Sequence, residues 1–230
     1  MYGWRLIRSK GLHDNHYTVI LITSAREERY VAIKALTGFA TNLIERELTW
    51  ELDALERVAD IPPPPGIEPN HCPRLLTPFL HPGKGQDGPH LCLVTDIMGG
   101  DVKSLQVKVA GKQGLPLPLA KRILLHTLRG LAHMHHCDIV HTDLKPDNIM
   151  FDTGTNTQDN IAKLIKTDPA RLHPPEKSFE CIVQTAVSQP FPLPSLSEAM
   201  NRNYIVSDFG SSEKYLDFPT CETALTLGNP

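Results

Sequence analysis

The sequence predicts an α+β protein with a β-rich first part, a mainly helical second part and a boundary near residue 98. Three observations carry this reading. Runs of β-branched and aromatic residues, bounded by turn residues, recur up to residue 96. Between residues 119 and 136 apolar residues return at helical spacing instead. A chain of 230 residues with 40% hydrophobic content can also bury a sizeable core, as one large domain or two small lobes.

The β-rich part begins with two runs, Tyr17 to Ile22 and Tyr30 to Leu36, which the polar linker from Ser24 to Arg29 joins as a hairpin. Lys34 closes an apolar strand segment, so its ammonium calls for either water or a specific partner. Residues 41 to 59 read as an amphipathic helix with Leu48, Leu52, Leu55 and Val58 on its stripe. Glu51 borders that stripe and Glu47 lies one turn earlier; either acid can face the strands or the solvent. Ile61 to Gly66, with four consecutive prolines, ends the helix. Those prolines fit an exposed connector or a polyproline ligand. Arg74 to Leu80 and His90 to Asp96 follow as a second, longer hairpin, and Gly99-Gly100-Asp101 reads as a flexible joint.

In the second part, Leu119 to His136 is predicted helical, with Ile123, Leu124, Leu128, Leu131 and Met134 buried. Its histidines do not form an H-E-x-x-H pattern, and no carboxylate or cysteine joins them as a metal-ligand set. Ile149 to Phe151 reads as a short strand. From there to Asn203 the chain takes a long detour with a helix at Asp159 to Lys166 and a capping box at Ser195 to Glu198. Its apolar residues are too few and dispersed for a second globular domain, so it reads as an insertion. Tyr204 to Gly210 then forms a strand ending in an acid, an aromatic and a glycine, followed by an irregular tail.

Composition excludes several classes. A formal charge of -3 argues against a general nucleic-acid surface and leaves room for a basic protein substrate. The five cysteines are scattered, odd in number and in no C-x-x-C pair, as expected of reduced thiols in the cytoplasm or nucleus. Met1 to Arg5 opens no long apolar run of the signal-peptide kind, and no stretch reaches the length of a membrane span.

The chemistry concentrates between His141 and Asn148. Asp143, Lys145 and Asn148 supply a carboxylate, a cation and an amide oxygen within six residues. Phosphoryl transfer needs a carboxylate for the attacking hydroxyl, a cation for the moving group and an oxygen ligand for Mg²⁺. With Val31-Ala32-Ile33-Lys34 before it and Asp208-Phe209-Gly210 after it, this stretch resembles the eukaryotic protein-kinase signature set in its required order. His141-Thr142-Asp143 is similar to the serine/arginine-rich-protein kinases (SRPK family) and the LAMMER kinases, and the Tyr30 to Lys34 and His90 to Val94 segments and the insertion before D-F-G resemble the SRPK family.

The resemblance implies a bilobal kinase fold with a β-rich N-lobe and an incomplete helical C-lobe. It divides the chain into an N-lobe and hinge (1–98), the start of a C-lobe with the catalytic loop (99–151), an inserted spacer (152–203), and the D-F-G strand with part of an activation segment (204–230). It implies ATP and Mg²⁺ as cofactors. Lys34 would hold the α/β-phosphates and pair with Glu51. Val19, Ala32, Thr95, Asp96 and Met98 would surround the nucleotide, with Thr95 as gatekeeper and residues 96–98 as hinge. Asp143 would serve the substrate hydroxyl, Lys145 the γ-phosphate, and Asn148 and Asp208 the metal. The activity implied is serine/threonine protein phosphorylation, with Ser/Arg-rich proteins as the family's substrates and neither nucleic acid nor membrane as a direct partner. A pseudokinase or interaction fragment is the alternative. Small-molecule phosphotransferases share H-x-D-x-x-x-x-N, but Lys145, D-F-G and the Lys34 motif disfavour them.

The sequence departs from the family's pattern in two further places. Gly11 to Thr18, where a glycine-rich loop belongs, holds one glycine and Asp14. No A-P-E motif follows Gly210, so the resemblance breaks off within the activation segment. Exposed apolar faces between residues 119 and 151 and marginal stability are expected in consequence. Because Thr142 replaces the usual arginine, Thr220, Thr223 and Thr226 lack the clamp that a phosphorylated activation loop would use.

Overall fold

The computed structural model describes residues 5–10, 16–23, 29–67, 71–83, 88–110, 114–154, 158–169, 171–177, 182–184, 187 and 189–215. Of residues 5–10, 16–23, 29, 110 and 183 only the backbone is described. Asp14, Thr220, Thr223, Thr226, Cys181 and Cys221 lie outside the described residues.

The first part is an antiparallel sheet of β1 (Arg5–Lys10), β2 (His16–Thr23), β3 (Arg29–Leu36), β4 (Leu75–Pro82) and β5 (Pro89–Thr95), in the order β1-β2-β3-β5-β4. The predicted β2–β3 and β4–β5 hairpins both form; β1 had no counterpart in the sequence reading. Alternation along β3 sorts its two faces. Val31 and Ile33 pack with Cys92 and Val94 on one side, while Leu36 joins Leu91 and Leu93 in the larger core on the other. Ala32 and Lys34 share the face of Leu36 and are half-buried.

The helix expected over residues 41 to 59 is two helices, α1 (Gly38–Glu45) and α2 (Glu51–Asp60). Between them Glu47 adopts a left-handed conformation (φ 57°), which no helix interior accepts. Leu48, in that turn, is exposed, and the buried stripe consists of Glu51, Ala54, Leu55 and Val58. Glu51 and Asp53 in the first turn of α2 and Arg57 in its last complement the helix dipole.

A second, three-stranded sheet joins β6 (Met98–Asp101), β8 (Ile149–Asp152) and β11 (Tyr204–Val206), in the order β11-β8-β6. Here the glycine pair is packed rather than loose. A Cβ on Gly99 would lie 2.8 Å from the Asp152 carbonyl oxygen, and one on Gly100 would lie 2.9 Å from the Phe151 ring. Helix α3 (Val102–Ala110), absent from the sequence reading, follows directly and buries Val102 and Leu105.

Helix α4 (Leu117–His136) forms as expected but is rotated relative to the predicted stripe. Ile123 and Met134 are buried and Leu131 packs against the core, whereas Leu124 and Leu128 are more than half exposed. The inward face is Leu119, Ile123, His126, Thr127, Gly130, His133 and Met134. The histidines fit there because each bonds main chain: His126 Nδ1 accepts from the Tyr204 N–H at 3.1 Å, and His133 Nε2 donates to the Ile61 carbonyl at 2.9 Å.

Beyond β8, α5 (Gln158–Thr167) packs beside β3, where Gln158 Oε1 accepts from the Tyr30 N–H at 2.5 Å. A small hairpin, β9 (Glu176–Lys177) with β10 (Ile182–Val183), and α6 (Leu196–Ala199) follow before β11. The Ser195–Glu198 capping box is formed at the start of α6. Strand β7 (Ile139–Val140) pairs with β12 (Glu213–Lys214), which ties the stretch after Gly210 to the strand before His141.

Candidate active site

Lys34 reaches its site from the core-facing side of β3. Its Nζ lies 2.5 Å from Glu51 Oε1 and 2.9 Å from Asp208 Oδ1. Burial opposes the ammonium, but the two carboxylates outweigh it and hold its pKa above the ordinary lysine value. Glu51, the first residue of α2, is buried; Glu47 is exposed in its turn and makes no such pair among the described residues. Lys34 thus ties three elements together: β3, α2 and the turn after β11.

Asp208 is itself left-handed (φ 65°), starting a 3-10 turn over Phe209–Ser211. That conformation is uncommon for a non-glycine residue and turns the chain sharply. Phe209, 1% exposed, packs into the core with Leu55, Val58 and Met134 and meets His141 edge-on at 6.0 Å. The buried phenyl group leaves the Asp208 carboxylate turned toward Lys34.

The loop after β7 is built around His141, whose buried Nε2 bonds the Ser207 carbonyl at 2.9 Å. Thr142 is left-handed (φ 60°), and its hydroxyl donates to the Ser211 carbonyl. A short neutral side chain thereby holds the segment that follows D-F-G. Lys145 Nζ stands 2.6 Å from Asp143 Oδ2. Asn148 Nδ2 donates to the same oxygen at 3.0 Å and to the Asp143 carbonyl at 2.9 Å. The hydrogen bond from Lys145 is the main cause that lowers the Asp143 pKa, while Asp208 pulls it the other way. Asp143 is therefore ionised at neutral pH and able to accept a proton.

The donor set fits a magnesium nucleotide. Asn148 is buried with its amide nitrogen engaged, which leaves its oxygen for a cation, and the Asp208 carboxylate is a second hard ligand. Among the described residues no three His, Cys, Asp or Glu side chains cluster to hold a metal by themselves. Mg²⁺ needs no such cage, since it is usually held by one or two protein oxygens plus phosphates and water.

The nucleotide-side residues are less uniform. Ala32 and Thr95 are directly paired across β3 and β5, on the same face as Lys34. Val19 does not join them: it pairs with Ile33, so the register puts position 19 on the face opposite Ala32 and Lys34, and positions 18 and 20 pair with Lys34 and Ala32 instead. The Asp96 carboxylate is turned away, gripped by Arg74 at 2.8 and 3.1 Å, so its main chain alone can face a base. Met98 is half-buried and starts β6. Sequence reading missed Arg57, which donates to the Cys137 carbonyl and to Asp138 and so ties α2 to the base of the loop. It also missed Lys214, whose ammonium sits 3.7 Å from the Trp50 ring centroid. No local motif announces either.

A glutamate-paired strand lysine, a carboxylate–lysine–asparagine loop and a D-F-G turn packed around one core define the class as a protein-kinase domain. Residues 83–187 match a family described as protein kinase domain. Within that class the chain is SRPK-like. It is 32% identical over 154 residues to the Serine/threonine-protein kinase SKY1 of Saccharomyces cerevisiae, which covers 65% of this chain and 20% of that protein. It is 36% identical over 152 residues to the Serine/threonine-protein kinase SRPK of Physarum polycephalum, covering 65% and 34%. It is 31% identical over 173 residues to human SRSF protein kinase 3, covering 74% and 29%. The matched part is thus between a fifth and about a third of the length of these curated relatives.

Proposed function

We propose that this chain uses Mg-ATP to phosphorylate serine or threonine hydroxyls of proteins, as an SRPK-type kinase. The observation that carries this is the Lys34 ammonium held between Glu51 and Asp208, together with the Asp143–Lys145–Asn148 cluster. Lys34 binds the α/β-phosphates, and Asn148 and Asp208 hold Mg²⁺. Ala32, Thr95, Met98 and the Asp96 main chain surround the adenine. When bound, the metal neutralises phosphate charge and orients the γ-phosphoryl group.

Asp143 orients the substrate hydroxyl and takes its proton as the oxygen bonds phosphorus and the bond to the β-phosphate oxygen breaks. Lys145 offsets negative charge on the moving phosphoryl group, and Asn148 keeps the Asp143 carboxylate aimed. Arginine–serine-rich proteins are the substrate class. The acidic balance of the chain suits a basic substrate. The cytoplasm or nucleus is the compartment, supported by Cys72, Cys92 and Cys137 being free, buried thiols.

The test is phosphotransfer from labelled ATP to an arginine–serine repeat peptide, with Asp143→Asn alongside. The parent is expected to transfer phosphate and the variant to be slower by about 10²–10⁴-fold with nucleotide binding retained. Equal rates for the two would remove Asp143 from its role.

A further inference from the structure

The four-proline stretch takes no part in the site described above, yet its setting is built. Helix α2 ends at Asp60, an exposed acid on the residue where the helix dipole favours a cation. Among the described residues Asp60 makes no ion pair that would offset this. Ile61 then leaves the helix extended (φ -91°, ψ 120°). It is fixed at both polar atoms: its N–H donates to the Arg57 carbonyl and its carbonyl accepts from His133 Nε2.

Each residue from Ile61 to Pro64 precedes a proline, which favours the extended polyproline II region. The far end is fixed as well, because the Ile67 N–H donates to the Pro64 carbonyl at 3.1 Å across a turn with Gly66 at φ 83°. A polyproline II helix has about three residues per turn, so positions three apart share an edge. Pro62 and Pro65 have that spacing and both are exposed, while Pro63 and Pro64 are half-buried. The segment borders an open cavity of about 720 Å³ between α2, residues 96–98 and α5, which leaves room beside Pro62 and Pro63.

We propose that residues 60–65 form a preorganised docking edge for a proline-recognition domain whose groove is lined by aromatic rings and rimmed by lysine or arginine. Aromatic grooves take polyproline II because the ligand loses little entropy on binding. Charge selects among such grooves: no lysine or arginine occurs between Arg57 and Arg74, whereas Asp60 and Glu68 flank the prolines in sequence. An acidic rim would repel this ligand.

The test titrates the full chain calorimetrically with an EVH1 domain, chosen for a basic rim, and with an SH3 domain, chosen for an acidic one. One-to-one binding to the EVH1 domain is expected, with Pro62→Ala/Pro65→Ala weakening it at least about tenfold. Asp60→Lys should weaken it by about three- to tenfold, yet leave the melting midpoint unchanged or higher, because a cation suits that helix end. No EVH1 binding, binding indifferent to both variants, or tighter binding to the SH3 domain would overturn the proposal.

Discussion

Lys34, Glu51 and Asp208 come from residues far apart in sequence, and their roles depend on one another. Glu51→Gln keeps the shape of the side chain and removes half of the charge that holds the Lys34 ammonium. ATP affinity is expected to fall by about tenfold and phosphotransfer by more, read by nucleotide titration and initial rates. Unchanged values would show that Asp208 alone positions Lys34. The choice between Glu51 and Glu47 was open to helix periodicity, since both lie near one face. It turned on a left-handed residue at Glu47, which a periodicity argument does not see.

A second residue-scale prediction concerns His126. Burial and the neighbouring His71, Arg122 and Arg129 push its pKa down to about 4. Its ring lies 4.3 Å from that of His71, and it accepts the Tyr204 N–H, so it must be neutral when folded. The unfolded chain binds the extra proton first, near the ordinary histidine value of about 6.5. Stability is therefore full above that value and falls as pH drops toward about 4. Denaturant titrations should show a loss of about 1–2 kcal/mol between pH 7 and pH 5. His126→Gln should flatten this slope, and an equally steep slope in the variant would contradict the assignment.

At the scale of elements, the hairpins β2–β3 and β4–β5 and helix α4 were legible, because long periodic runs of β-branched or apolar residues have few alternatives. The face that α4 buries was not. Leucines at 124 and 128 look like core residues, but the inward face uses histidine, threonine and glycine that bond or approach main chain. Gly130 shows why. A Cβ there would stand 2.5 Å from the His71 carbonyl oxygen and 2.9 Å from Val206 Cγ2. Gly130→Ala gains about 1 kcal/mol in helix propensity. The overlap is with backbone and should cost about 1–3 kcal/mol, so net destabilisation is expected in a thermal melt. A raised midpoint would mean that α4 and the segment at His71 separate more easily than their packing implies. The Gly99-Gly100 pair reads in sequence as a flexible joint, whereas in the fold those glycines permit close contact with Phe151 and Asp152 just before α3.

Across the whole molecule, the core that packs Phe209 also packs α2, β5 and α4, so residues from both parts of the chain support the turn at Asp208. Sequence motifs showed which residue types the site needs, because acid, lysine, asparagine and D-F-G occur in an ordered set. They did not show the ties between distant segments, such as Arg57 to the Cys137 carbonyl or Thr142 to the Ser211 carbonyl, which involve main-chain acceptors without a sequence signature. The most direct measurement is the melting midpoint of this chain with and without Mg-ATP, beside Asp208→Ala. A ligand that binds only the folded state raises the midpoint. A cooperative transition that Mg-ATP raises in the parent and leaves unmoved in Asp208→Ala is the expected result. No shift in the parent, or an equal shift in the variant, would contradict a magnesium-nucleotide site built on Lys34, Asn148 and Asp208.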